Sequence, residues 1–169
     1  MPTLVGLPDL QLHYLVDDFT DPWRESETIL LLHGNAESGI AWYGWVPPLA
    51  RRFRVVRPDM RGFGASTPMP RDFPWTLDIV IDDFVRLMDS LSIERFHLVG
   101  AKIGGTIARA FASRRPERVI TLTVVGTPPP CACAGLSNAK APAARLAALI
   151  ATASFLSIPS VSCLQHFGG

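Results

Sequence analysis

The chain carries almost no net charge. Its 169 residues include 16 Lys and Arg against 15 Asp and Glu, which gives +1. Proteins that bind nucleic acid or an anionic membrane surface usually carry a basic patch, and no run of lysines or arginines stands out in this sequence. We therefore predict that neither nucleic acid nor a membrane is a partner.

Long apolar runs and a secretory leader are also missing. The longest apolar stretch, residues 146–158, is interrupted by hydroxyl side chains and is shorter than the roughly 20 residues that span a bilayer. The first residues lack the charged and then apolar pattern of a signal peptide. The three cysteines are an odd number, which favours reduced thiols. These absences predict a cytoplasmic domain.

Carboxylates are absent from the last part of the chain. No aspartate or glutamate follows residue 130, and Pro128-Pro129-Pro130 marks the change. We divide the sequence into a core, residues 1–127, and an alanine-rich tail, residues 128–169. Two interpretations of the tail stay open: a small hydrophobic lid segment, or non-native sequence from a frameshift or truncated gene. We expect residues 131–169 to form irregular or helical structure rather than strands.

The core alternates between apolar runs and helical periodicity. Strands are predicted at residues 11–16, 28–32, 53–57, 96–99 and 119–125, and helices at 42–52, 77–91 and 103–115. Pro47-Pro48 predicts a break or kink in the first helix. Unbroken apolar strands are typical of a sheet covered on both faces. The pattern predicts an α/β fold with a mostly parallel sheet flanked by helices.

Three glycine-containing loops each follow a predicted strand: His33-Gly34-Asn35, Asp59 to Ser66, and Gly100 to Gly105. The carboxyl ends of such strands are where α/β sheets bind ligands. The third loop has the glycine frame of the G-x-S-x-G turn, which presents a nucleophilic serine between a strand and a helix. Lys102 stands at the position of that serine.

Together, the H-G-x loop, the D-x-R-G-x-G-x-S loop and the strand–turn–helix resemble the α/β-hydrolase superfamily over residues 10–127. The resemblance implies a core that ends after about the sixth strand, and substrates that are esters, lactones or C–C bonds of small hydrophobic molecules. It also implies an oxyanion hole made by the backbone N–H groups of Asn35, with Ala36 as a neighbouring candidate, and Ile103. The other loop residues are expected to shape the loops: His33, Gly34, Asp59, Arg61, Gly62, Gly64, Gly100 and Gly104. A catalytic carboxylate at Asp59 is the alternative.

Lys102 leaves the function open. Only His166 follows it among the histidines, and no carboxylate follows residue 130, so these residues do not supply a Ser-His-Asp triad. One hypothesis is a hydrolase with impaired activity, and a second is a non-catalytic binding protein for a small molecule. The third is an enzyme that uses Lys102 as a neutral amine, a form that partial burial at a helix N-terminus would favour.

Three smaller expectations complete the prediction. Self-association is expected through the edge strand at residues 119–125 if nothing covers it. Cys131, Cys133, Cys163 and His166 are a weak zinc pattern because of the long gap inside it, and we predict no metal or cofactor. Four aromatic residues flank the loops and either line a pocket or pack the core: Trp42, Trp45, Phe73 and Trp75.

Overall fold

The computed structural model describes residues 3–7 and 10–126. Its sheet has six strands: β1 (Thr3–Leu7), β2 (Leu10–Asp17), β3 (Thr28–Leu32), β4 (Arg54–Pro58), β5 (Phe96–Ala101) and β6 (Val119–Val125). Their spatial order is β1-β2-β4-β3-β5-β6. Strands β3 to β6 run parallel to one another, while β1 pairs antiparallel with β2 and β2 pairs antiparallel with β4. The prediction of an α/β fold with a mostly parallel sheet is confirmed.

Three α-helices lie among the described residues: α1 (Val46–Leu49), α2 (Leu77–Ser90) and α3 (Ile103–Arg114). Short 3₁₀ segments occupy Gly39–Trp45 and Pro116–Arg118. Helix α2 begins where the Thr76 side chain accepts a hydrogen bond from the Ile79 N–H at 3.2 Å, as an N-cap does.

The predicted helix over residues 42–52 is wrong in its extent. The chain forms a 3₁₀ segment first, and α1 is a single turn closed by the Ala50 N–H donating to the Val46 carbonyl at 2.8 Å. Pro47 and Pro48 have no N–H to continue the helical ladder. Strand β1 was not predicted, because Gly6 and the neighbouring Pro8 weaken the strand pattern of this short stretch.

Two apolar clusters cover the two faces of the sheet, and β3 contributes to both. Leu30 and Leu32 pack on the side of α2 and α3, while Ile29 and Leu31 pack against the 3₁₀ segment and α1. Burial on both faces explains why residues 28–32 show no alternation of apolar and polar residues.

The strand order decides where the loops meet. Strand β3 lies between β4 and β5, and Leu32 is in register with Gly100. Because the carboxyl ends of parallel strands share one edge of the sheet, the loops that follow β3, β4 and β5 come together there. This edge is the candidate site.

The remaining expectations concern the end of the chain. Within residues 3–7 and 10–126, β6 pairs with β5 alone. The predictions for the tail, together with Cys131, Cys133, Cys163 and His166, lie outside the described residues. In the described part of the chain, the helices are too short or too polar to cross a membrane.

Candidate functional site

The β5–α3 turn, residues 100–104, holds Lys102 in an uncommon backbone conformation. Lys102 has φ 52° and ψ −120°, a region that side-chain-bearing residues seldom adopt. The Lys102 N–H donates to the Val125 carbonyl at 3.0 Å, and the Lys102 carbonyl accepts from Gly105 at 3.1 Å. Strained backbone of this kind is frequent at functional sites.

Glycines make this turn geometrically feasible. A Cβ atom on Gly104 would collide with the carbonyl oxygens of Leu32 and His33, and a Cβ on Gly100 would collide with the backbone of Gly104. The first turn of α3 therefore lies directly against the end of β3. The structure thus brings the first and third predicted loops into contact.

Lys102 and Glu37 form an ion pair across these two loops. The Lys102 Nζ donates to Glu37 Oε1, while Glu37 Oε2 accepts the Gly34 N–H at 2.9 Å. The hydrogen bond from Lys102 lowers the pKa of Glu37, the Gly34 N–H lowers it further, and burial opposes both. One carboxylate therefore joins the β5–α3 turn to the loop after β3.

Glu37 is a site residue that was not predicted from the sequence. One feature of the sequence could have indicated it. Glu37 is an acidic residue in the loop after β3, and that loop meets the turn that carries Lys102. The Lys102 side chain is 60% exposed, and Glu37 is its partner. The long side chain reaches across the loop toward Gly34 and into solvent.

His33 is fully buried and links the loops after β3 and β4. Its Nε2 accepts the Met60 N–H at 2.9 Å, so the proton of the neutral ring lies on Nδ1 and is donated to the Gly34 carbonyl at 2.8 Å. Burial lowers the pKa of His33, although the Gly34 hydrogen bond and nearby carboxylates act the other way. His33 thus fixes loop geometry as a neutral ring.

Asp59 gathers hydrogen bonds from three parts of the chain. Its Oδ1 accepts the Gly39 N–H at 2.7 Å, and its Oδ2 accepts the Ala65 N–H at 2.9 Å. Oδ2 also lies 2.8 Å from Nδ1 of His13 on β2. The side chain is almost completely buried, and a Cβ atom on Gly64, where φ is +56°, would collide with it. These contacts account for Asp59 as a support of the loop after β4.

Arg61 ties the same loop to α2. Its guanidinium binds Asp83 through two hydrogen bonds, Nε to Oδ2 at 2.9 Å and Nη2 to Oδ1 at 2.8 Å. Both side chains are buried, and the guanidinium carbon lies 4.9 Å from the centre of the Phe73 ring. Gly62, with φ +82°, supplies the turn that follows Arg61.

The residues predicted to line an oxyanion hole come from two loops. Asn35 and Ala36 lie in the loop after β3, and Ile103 lies at the start of α3. Ala36 has a positive φ of 57°, and Ile103 is the first residue of α3. Among the described residues, no hydrogen bond from the backbone N–H of Asn35 or Ile103 to a protein acceptor is found. Both amides can therefore donate to a bound molecule.

An apolar cavity of about 290 Å³ lies beside the turn. It is lined by residues from the loop after β4 and from α2 and α3: Met60, Arg61, Phe63, Met69, Trp75, Val80, Ile103 and Ile107. Trp75 therefore lines the cavity, whereas Trp42 is a core residue that packs edge-on against Trp45. Phe73 lines a second, smaller cavity of about 200 Å³ with Arg61 and Asp83.

Metal binding would need several His, Cys, Asp or Glu side chains around one point. In residues 3–7 and 10–126, no three such side chains come together in this way. The predicted absence of a metal or cofactor stays a prediction for the whole chain.

Comparison with known proteins places this geometry in context. The model of the alpha/beta hydrolase fold family matches residues 27–154. The 2-hydroxymuconate semialdehyde hydrolase of Pseudomonas sp. (strain CF600) is 41% identical over 102 residues, which cover 59% of this chain and 36% of that protein. The pimeloyl-[acyl-carrier protein] methyl ester esterase of Aeromonas hydrophila is 35% identical over 101 residues, which cover 60% of this chain and 38% of that protein.

Solved structures of hydrolases are similar to this chain as well. A hydrolase from Pseudomonas aeruginosa matches with a TM-score of 0.68 and 29% identity, over 89% of this chain and 52% of that one. The chain spans little more than a third of the two curated relatives and about half of this structure.

Proposed function

The chain belongs to the α/β-hydrolase fold family, and from this membership we propose that it is a hydrolase relative with impaired activity. The related activity is hydrolysis of an ester, a lactone or a C–C bond in a small hydrophobic molecule. Lys102 occupies the position at which the G-x-S-x-G turn presents its nucleophile, and an incomplete catalytic triad, without the serine and without a recognisable acid and histidine pair, is the cause of the impairment.

The observation that carries the proposal is the ion pair between Lys102 and Glu37. Nucleophilic attack requires a neutral amine, because an ammonium group has three donors and no lone pair. Burial away from carboxylates is what favours a neutral lysine, whereas the Lys102 side chain is 60% exposed and paired with Glu37. Lys102 is therefore a poor substitute for an activated serine.

Other parts of the hydrolytic machinery are retained in this proposal. The N–H groups of Asn35 and Ile103 serve as oxyanion donors, a role that is worth about 3 kcal/mol for each donor in such sites. His33, Asp59 and Arg61 support the loops rather than perform chemistry, since each is buried and bound to backbone or to α2.

The test is hydrolysis of p-nitrophenyl butyrate by the wild type and by Lys102→Ala and Lys102→Ser. We expect the wild type, Lys102→Ala and Lys102→Ser to have similar low rates, because a serine without its histidine and acid gains little. A nucleophile or general base contributes about 10²–10⁴-fold. A loss of about a hundredfold or more in Lys102→Ala would show that the lysine performs chemistry and would contradict the proposal.

That outcome would favour the Lys102-dependent enzyme. Borohydride trapping with a small aldehyde identifies it directly, because Lys102 is the only lysine before residue 140. Failure to label Lys102 under conditions of turnover would exclude the Schiff-base mechanism.

A second candidate is a binding protein that performs no chemistry. The cavity of about 290 Å³ beside the turn favours it, since its lining suits a small hydrophobic molecule. A ligand that raises the melting temperature further as its concentration increases, without being consumed, would support this function.

We also propose self-association through the edge of β6. Its outer edge has no partner strand within the described residues, and its side chains are mostly half-buried. Light scattering over a tenfold range of protein concentration tests this. A molar mass that stays at that of one chain would contradict it.

A further inference from the structure

We propose that Met69 and Trp75 determine the size of the uncharged apolar group that the cavity of about 290 Å³ accepts. The inference rests on the proposed function, in which the molecule held by the site is small and hydrophobic. It assigns two specificity-determining residues and the kind of group that they select.

The inner wall of the cavity is part of the core. Met60, Val80 and Ile107 line the cavity and belong to the buried apolar cluster between the sheet and helices α2 and α3, and Phe63 packs against that cluster. Removing volume from such residues leaves a void and destabilises the fold. The inner wall is therefore constrained by folding and is the same for every ligand.

The outer wall comes from the connection between β4 and α2. Met69 and Trp75 lie in this connection and line the cavity, but neither belongs to the core cluster. Met69 is half-buried, and Trp75 is 43% exposed. A change of size at either residue therefore alters the cavity with little effect on core packing, as a specificity-determining position requires.

Backbone contacts hold the outer wall in place. The Gly62 N–H donates to the Thr67 carbonyl at 3.0 Å. A Cβ atom on Gly62 would lie 3.0 Å from the Cβ of Met69, so Gly62 lets Met69 pack closely against the loop after β4. Three prolines between residues 68 and 74 also restrict the backbone. A wall that is ordered before binding costs less to order when the ligand arrives.

The charges of the lining explain why the selected group is uncharged. Of the eight residues that line the cavity, only Arg61 carries a charge, and its guanidinium is bound to buried Asp83 through two hydrogen bonds of 2.9 and 2.8 Å. A charged group inside the cavity would lose its hydration without gaining a counter-ion of its own. The cavity therefore favours an uncharged group.

The experiment is an NMR titration of the full chain with straight-chain alcohols from 1-butanol to 1-octanol. Each methylene group that enters the cavity should raise the affinity about fourfold, until the chain fills the cavity and the affinity levels off. We expect Met69→Ala and Trp75→Leu to move this limit to a longer alcohol, because each substitution enlarges the cavity. Urea denaturation should show that both variants remain folded, since neither residue belongs to the core cluster.

Trp23→Leu is the matched control for Trp75→Leu. Trp23 is 78% exposed, lies in the connection between β2 and β3 and does not line the cavity, so its substitution should leave the limit unchanged. The inference would be overturned by an unchanged limit in Met69→Ala or in Trp75→Leu, by an affinity that does not level off within the series, or by no saturable binding of any alcohol. Tighter binding of hexanoate than of 1-hexanol would also overturn it.

Ester turnover is measured separately, with p-nitrophenyl butyrate. Turnover that depends on Lys102 contradicts the proposed function and leaves the comparison of the alcohols unaffected. An unchanged limit in the variants, together with low turnover, overturns this inference alone.

Discussion

Asp59→Asn changes one atom of the residue that holds three segments together. The carboxylate accepts the Gly39 N–H on one oxygen and the Ala65 N–H on the other. An amide offers only one oxygen, so in either orientation its NH₂ group faces a backbone N–H that loses its acceptor. A buried donor without a partner costs about 1–3 kcal/mol. We therefore expect Asp59→Asn to lower the free energy of unfolding by about 2 kcal/mol.

Urea denaturation at pH 7 measures this difference, and Asp72→Asn is the matched control. Asp72 follows in the same connection between β4 and α2 and is exposed, so the same chemical change there should cost less than about 0.5 kcal/mol. If the two variants have equal free energies of unfolding, the assignment of Asp59 as a loop support is refuted. A large loss of ester turnover at unchanged stability would instead support the catalytic alternative.

Three further predictions concern the loops around the turn. Gly104→Ala should destabilise the protein by about 1–3 kcal/mol in urea denaturation, since the new Cβ meets two carbonyl oxygens. Gly44→Ala is the control: it has open space around it, and its free energy of unfolding should be within about 0.5 kcal/mol of the wild type. Equal effects of the two substitutions would contradict the close contact at Gly104. The pKa of His33 in the folded state lies below its ordinary value of 6.5 because the side chain is buried, so the unfolded chain binds the proton first as the pH falls. The contribution of His33 to the free energy of unfolding is therefore complete above about pH 6.5 and is lost below it. The free energy of unfolding should fall by at most about 1.4 kcal/mol per pH unit from this cause. An equal pH slope in His33→Gln would contradict this. Asp83→Asn, which removes the charge opposite buried Arg61, should cost about 3 kcal/mol; a cost below about 1 kcal/mol in the same assay would show that the pair is dispensable.

Much of the fold could be predicted because its signals are local. The unbroken apolar run of β3 and the helical spacing of α2 each depend on neighbours within one element. The extent of the helix in residues 42–52 was harder to predict. Its aromatic and apolar residues suit a helix, but Pro47 and Pro48 lack the N–H donors that a helix requires. A short strand such as β1 depends on its pairing with β2, and pairing is not visible in local propensity.

The candidate site also has a part that could be predicted from local sequence and a part that could not. The glycine frame of Gly100 and Gly104 indicated the tight turn, and the structure supplies the close contacts that require it. The pairing of Lys102 with Glu37 joins residues far apart in sequence. It depends on the order and register of β3 and β5, and these become known only when the sheet is formed. The unusual residue, Lys102, could therefore be found from the sequence, whereas its carboxylate partner, Glu37, could not.

Titration of Glu37 by NMR tests the central claim most directly. The claim is that Lys102 is an ion-paired cation at the nucleophile position. We predict that the pKa of Glu37 lies below 4.5 in the wild type, chiefly because of the hydrogen bond from Lys102, and that it rises toward 4.5 in Lys102→Met. An ordinary pKa for Glu37 that is the same in both proteins would contradict the ion pair.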